Sequence, residues 1–522
     1  MDTDVLIVGA GPTGLMLANQ LARRGLSPLI IDRHAGPARE TRALGVQART
    51  LEIYQKLGVV ERVLELGKVG TGANLWANGK RKGRIPLGDS GRTVTPYPYI
   101  LILGQDDNER ILGDNLGKLG VPIRWNTELV ALEQFDDRVR ATLKQPDGSM
   151  RTLDAAWVAG CDGARSAVRD LNHIAFPGAP YEHVFFVADV VMTGTMVPDE
   201  VNVYLWKSGF HLFFPMRGTD HWRVVGIVPA ELRDREKVSF DDIVPSVRGE
   251  AGSSLAFQSC SWFSTYRIHH RAAASFQDRR CFVLGDAAHV HSPVGAQGMN
   301  TGLQDAYNLA WKLALVVAGK ADASLVESYA AERKPIAEWL LHNTDRGFRL
   351  VVSDGALAGL LRTEVLARVA SIAMSLKRVQ ARAFRTVSQT GIHYRGGPLS
   401  KAAGALPRTA PQAGDRFPWL KLALGTDASV LDLYETLDDL HFHLFVFGQT
   451  ARIELPPSVR ALVTVHAVRD QAANTAELAR AGIPQPSFYL VRPDGYVGLC
   501  GGTLDADSIA SYFHETLYVR DR

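Results

Sequence analysis

The chain opens on a strand–turn–helix–strand pattern that leaves few folds available to it. Val5–Val8 is a short aliphatic run, GAGPTG follows with glycines at 9, 11 and 14, and a helix is predicted over Leu15–Arg24. Gly25 stops that helix, and a second apolar run, Pro28–Ile31, ends on Asp32. Runs this apolar read as parallel strands buried on both faces. Gly9 permits the tight turn, Gly11 lets the backbone approach a pyrophosphate, and Gly14 lets helix pack on strand, while Asp32 accepts from a ribose hydroxyl. The expectation is a Rossmann-type α/β domain that binds a nucleotide.

Two later stretches carry related chemistry. An apolar run over Cys281–Leu284 stops at Gly285-Asp286, a loop holds Pro293, Gly295 and Gly298, and a helix starts near Asn300. A carboxylate there accepts from sugar-type hydroxyls, and the free N–H groups of a helix start face an anion or an electron-rich ring. At Ala159–Arg169 the chain reads AGCDGARSAVR. A strand runs out at Cys161, Asp162-Gly163 turns, and Ser166 and Arg169 share a helix face one turn apart. That arrangement suits a second phosphate-bearing ligand. Arg33, Arg39 and Arg42 form either a solvated face or, through Arg42, a contact to phosphates, and Gln105 begins a helix over Asn108–Leu119.

Between these motifs the period changes to two. His183–Met192, Val201–Trp206, Phe210–Met216 and Trp222–Val228 predict an antiparallel sheet. Within Phe210–Met216 one face carries Phe210, Leu212, Phe214 and Met216, and the other His211 and Phe213. His211 and His291 are candidate proton acceptors, because imidazole titrates near neutrality. After an amphipathic helix over Leu350–Arg385, a Pro- and Gly-rich boundary at Pro407–Pro418 precedes a tail of alternating α and β units.

With 522 residues the chain needs more than one core. A net charge of +3 supplies no field for nucleic acid or a membrane surface. Four scattered cysteines (161, 260, 281 and 500) without CxxC give neither a disulfide framework nor a zinc site, and fit a reducing, cytoplasmic compartment. No stretch approaches the ~20 apolar residues of a membrane span.

Three motifs in one order, GAGPTG with its acid, CDGARSAVR, and GDAAHVHSPVGAQGMNTGLQDAYNLAWKL, resemble the FAD-dependent aromatic hydroxylases of the p-hydroxybenzoate hydroxylase fold. The likeness runs on through SYAAERKP, Ser328 to Pro335. It implies an FAD-binding domain over residues 1–175 and 268–345, a β-sheet substrate domain over 176–267 and a helical linker over 346–405. The tail, 406–522, resembles the thioredoxin-like domain of phenol and polyketide hydroxylases, but without CxxC, so it has no dithiol chemistry.

The resemblance also implies roles. FAD, held non-covalently, would lie along Gly9, Gly11, Thr13, Gly14, Asp32, Arg33, Arg42, Gln105, Leu129, Asp162 and Asp286. Its ring would meet Pro293 and the N–H groups of Gly298, Met299 and Asn300. NADPH or NADH would visit past Asp162, Arg165 and Arg169, with no domain of its own. Trp206, His211, Phe214 and Met216 would face the substrate. Family members that act on carboxylated benzoates need a cation near the end of the Phe210–Met216 strand. Phe214 and Met216 stand there instead, which implies a neutral phenolic or polycyclic ring. The implied reaction inserts one atom of O2 into that ring, and a homodimer is the expected assembly. One departure is the acid at position 32, aspartate where the family usually has glutamate. Other outcomes open at this point are a Baeyer–Villiger-type oxygenase and a flavin-binding scaffold without turnover; a halogenase is disfavoured by the missing paired-tryptophan motif.

Overall fold

The computed structural model describes residues 1–38, 43–86, 88–206, 209–233, 235, 237–252, 254–291, 296–352, 376–424 and 429–521. The opening strand, Thr3–Val8, lies between Pro28–Ile31 and Met150–Gly160, parallel to both. Cys281–Val283 pairs parallel to Met150–Gly160 on the far side. The register aligns the strand ends: Val8 stands opposite Ile31 and Gly160, and Gly160 opposite Val283. The three glycine-bearing motifs therefore leave the same carboxyl edge side by side, which is where open α/β sheets bind their ligands. An antiparallel pair, Glu128–Gln134 and Val139–Lys144, extends the sheet through Met150–Gly160.

The second sheet has eight strands, and its four central ones are those the alternation predicted, within a few residues. Two members were not anticipated there. Gly72–Ala77 and Lys80–Pro86, expected within the first domain, form one edge, with Gly72–Ala77 parallel to Val201–Trp206. At the other side the long strand Ala256–Ala272 pairs with His289–Val290 of the third motif. A helix over Phe240–Ala251, begun by a capping box of Ser239 and Asp242, covers the outer face.

The tail builds a five-stranded mixed sheet around Phe442–Phe447, parallel to Val463–Val468 and antiparallel to Ser487–Val491. Of the expected linker helix, the described parts are the end of Ser328–Val352 and Lys377–Val387; residues 353–375 lie outside the described residues. The tail is bound to the rest by charge as well as by apolar packing. Arg492 pairs with Glu332 and Asp494, Lys312 with Glu332, and Arg49 Nη2 donates to the Asp494 carbonyl at 2.6 Å. Glu332, Arg492 and Lys312 are fully buried, so removing one partner would strand a charge out of water. Among the described residues no helix is long and apolar enough to cross a membrane.

Candidate functional site at the carboxyl edge

Gly9 turns with φ +105, and a Cβ on it would stand 2.3 Å from the Cys161 carbonyl oxygen. A Cβ on Gly14 would stand 1.9 Å from the Gly9 oxygen. Neither place admits a side chain. Gly11 differs: its Cβ would meet nothing within 4 Å. It is the N-cap of the helix Pro12–Arg23 and offers no side-chain cap, so the N–H groups of that first turn are left for a ligand or water, the pattern of an anion-binding helix start. Asp32 closes the turn: Oδ2 accepts from the Ala10 N–H at 2.8 Å, and Oδ1 from the His34 N–H at 2.8 Å.

The first and third motifs meet at Thr13. A Cβ on Gly285 would lie 2.6 Å from Thr13 Oγ1, and one on Gly302 would lie 2.4 Å from the same atom. The glycine turn and the stretch from Gly285 to Gly302, called the ring loop below for its described residues, thus pack directly on one another at Thr13. Asp286 is exposed there between buried Gly285 and Ala287. Ala296, without the freedom of a glycine, holds φ +51 just before the helix Gly298–Val317. Asn300 fastens that helix start. Its Oδ1 accepts from the Gln47 N–H at 2.9 Å and Thr50 Oγ1 at 2.7 Å, and its Nδ2 donates to the Gly45 oxygen at 2.7 Å. The Asn300 side chain is therefore structural, and what it presents to a ligand is backbone.

The second motif supplies an unclaimed acceptor. Asp162 Oδ2 accepts from the Ala167 N–H at 2.7 Å, while Oδ1 is buried with no partner among the described residues. Burial pushes this carboxyl up. Ser166 caps the short helix by accepting from Arg169 N–H at 3.0 Å, so Ser166 and Arg169 meet through the cap. Arg169 Nη1 donates to the Ala287 oxygen at 3.2 Å, and its guanidinium lies 4.0 Å over the Phe176 ring. It ties the second motif to the third rather than facing solvent; Arg165 is exposed. Gln105 donates to Glu109 at 2.8 Å, and Glu109 in turn accepts from the Ala38 N–H. Leu129 is buried in the sheet, Arg33 is exposed, and Met299 Sδ lies 3.5 Å from Asn108 Nδ2. Arg42 and Pro293 fall outside the described residues.

The faces of the second sheet separate the substrate candidates. Phe214 and Met216 pack with Leu44, Ile100, Ile102 and Ala296, directly beside the ring loop. His211 and Trp206 point the other way. Their rings stack 5.7 Å apart, and His211 Nε2 is 2.5 Å from Glu250 of the covering helix. His211 and Trp206, expected on the substrate side, thus stand on the face that the helix Phe240–Ala251 covers, and Phe214 and Met216 stand on the opposite one, because strand alternation separates them. A residue the sequence pattern did not single out stands on the inner face: Arg223, opposite Phe214 in the register. Its charge is already matched, bidentate, by Asp189 at 2.5 and 2.6 Å, with Trp262 alongside.

An open glycine turn, an orphan carboxylate oxygen, an exposed acid and two helix starts on one edge fit an extended dinucleotide such as FAD. The comparisons agree. The family described as FAD binding domain matches residues 2–344. The chain is 33% identical over 515 residues to 6-methylpretetramide 4-monooxygenase of Streptomyces rimosus, covering 95% of this chain and 90% of that one. It is 30% identical over 513 residues to pentachlorophenol 4-monooxygenase of Sphingobium chlorophenolicum, covering 97% and 88%. Among solved structures, the anhydrotetracycline hydroxylase of Streptomyces rimosus superposes with a TM-score of 0.80 at 28% identity over 100% of both chains.

Proposed function

This chain belongs to the FAD binding domain family, and on that premise we propose that it is an NAD(P)H-dependent monooxygenase of neutral phenolic or polycyclic aromatic rings. The observation that carries the reading is the meeting of glycine turn and ring loop at Thr13, which gives one stretched coenzyme a single bed. Bound FAD supplies the hydride acceptor and the activation of O2 that no side chain provides.

The chain's own residues bind, orient and keep dry. The first turn of Pro12–Arg23, beside Gly11, holds pyrophosphate oxygens, and Asp32 holds the adenosine ribose with its remaining lone pairs. Asp286 accepts from the ribityl chain, and the N–H groups at Gly298–Asn300 stabilise charge on the ring edge. Phe214 and Met216 with their apolar neighbours exclude water from the reacting face. Asp189 cancels Arg223, which supports a neutral ring over a carboxylated one. Arg165 is left to meet the visiting nicotinamide cofactor, while Arg169 positions the loop it crosses. Four unpaired cysteines support a cytoplasmic setting, and a homodimer is the assembly we expect.

The names of the relatives favour ring monooxygenation over a Baeyer–Villiger outcome. The test is purification followed by a screen of phenols and polycyclic phenols for NADPH oxidation coupled to O2 uptake. Yellow protein whose NADPH consumption rises severalfold with a ring substrate supports the reading. Yellow protein that no ring stimulates would favour the scaffold.

A further inference from the structure

Two histidines, His289 buried and His291 half-buried, lie in a hydrogen-bonded chain that the proposed function leaves unused. His289 Nε2 is 2.7 Å from Asp305 Oδ2, and His289 Nδ1 is 2.7 Å from His291 Nε2. Asp305 also receives Arg333 Nε on Oδ1 at 2.7 Å and the Gly285 N–H on Oδ2 at 3.1 Å. The side chains of His289, Asp305 and Arg333 are all 0% exposed. Burial opposes ionisation of Asp305, but Arg333 and His289 overcome it and hold the carboxyl below its ordinary value.

The tautomers are set by elimination. An ionised carboxylate only accepts, so His289 donates from Nε2, and in the neutral ring Nδ1 then holds the lone pair. His291 must then donate from Nε2, which leaves its own Nδ1 as an acceptor. That atom is buried and has no partner among the described residues. Burial pushes His291 well below the usual imidazole value, so it rests neutral. Its ring lies at the right place to matter: Cδ2 is 3.9 Å from where a Cβ on Gly298 would stand, at the first residue of the ring-loop helix. A helix start that attracts negative charge and an unclaimed proton acceptor are therefore neighbours. The acceptor is wired to a buried carboxylate, the device that steadies an imidazolium in catalytic triads.

We propose that His291, His289 and Asp305 form a buried proton relay serving the ring pocket. His291 Nδ1 takes up a proton when negative charge arrives at the Gly298 helix start, and Asp305 steadies the cation through His289. The inference rests on the proposed binding of FAD. A hydride brings two electrons and one proton to the ring; the proton on His291 comes from solvent, forming one N–H bond there.

The other charged or titratable groups around the relay are committed elsewhere. Arg333 donates also to Tyr394 and to the Thr301 oxygen, and Tyr329 donates to the Val283 oxygen. Burial pushes Tyr329 and the Cys161 thiol up, so both stay neutral. Arg169 holds Ala287, and Arg271, across the strand pair from Val290, turns toward Phe176.

The test is potentiometric titration of FAD in the full-length holoenzyme without substrate, from about pH 7 to 8.5. A two-electron couple that takes up one proton moves ~30 mV per pH unit, and one that takes up two moves ~59 mV. Wild type is expected near the larger slope and His291→Gln near the smaller, with the same spectrum for the reduced flavin in both. Equal slopes in the two proteins overturn the relay, and so does a wild-type slope near ~30 mV. If His291→Gln fails to retain FAD, His289→Gln, which cuts the link to Asp305 and leaves His291 in place, is expected to lower the slope, and an unchanged slope counts against the relay. Purified protein that binds no FAD would defeat the flavin reading itself, a separate failure.

Discussion

Gly11 offers the sharpest division between folding and coenzyme binding in this molecule. Its backbone sits at φ −74 and ψ −179, extended geometry open to any residue. A methyl group added there meets no protein atom within 4 Å. Gly11→Ala should gain ~0.4–1 kcal/mol from a less flexible unfolded chain and lose a similar amount as a poorer N-cap, leaving the apoprotein's stability nearly unchanged. The same methyl group occupies the space where a pyrophosphate would approach the helix start. Displacing the phosphate forfeits about two hydrogen bonds to a charged group at ~1.5–3 kcal/mol each, or ~3–6 kcal/mol together. At ~1.4 kcal/mol per tenfold, FAD affinity should fall by ~10²–10⁴. Gly14→Ala is the contrast, since its Cβ would stand 1.9 Å from the Gly9 oxygen and the turn itself must move. Thermal melts of apoprotein and calorimetric titration with FAD read the two quantities apart. If Gly11→Ala protein melts normally and binds FAD as wild type does, the anion site has been placed in the wrong turn.

Other consequences can be checked with single variants. Asp286→Ala should release FAD or weaken it severely, seen as colourless protein after gel filtration. Asp189→Asn should unmask Arg223 beside Phe214 and shift binding toward carboxylated rings, measured as the ratio of Kd values for a benzoate and its neutral analogue; no shift would mean that Arg223 does not face the ligand. His211→Leu should lower Tm by uncoupling Glu250 while the pH profile of turnover stays put, because the ring lies behind the sheet. Burial opposes ionisation of Glu332, yet Arg492 and Lys312 hold it below the ordinary 4.5. Its contribution is therefore complete above that value and is lost as pH falls through and below it. Glu332→Gln should cost ~3–5 kcal/mol at neutral pH, read by denaturant melts, and flatten that acid dependence.

What could be read along the chain was what neighbours in sequence decide. The runs ending at Val8, Ile31, Gly160 and Val283 are apolar on both faces, so their strands and the glycine motifs behind them announce themselves locally. The same holds for the alternation in Phe210–Met216, which separated Phe214 and Met216 from His211 correctly. It does not say which face of the strand the helix Phe240–Ala251 covers. Only closure supplies it. Gly72–Pro86 joins the sheet's edge and Phe240–Ala251 covers its back, both through contacts with strands remote in sequence. Arg223 and Asp189 lie on different strands, so their mutual neutralisation is invisible until the register is known. Asp305 and Arg333 lay inside stretches that the resemblance already spanned, yet neither was given a role, because a carboxylate in the middle of an apolar helix reads as core until its partner on another helix is seen. Local pattern thus marks where a coenzyme can lie, and long-range pairing decides which side chains face it and which are already satisfied.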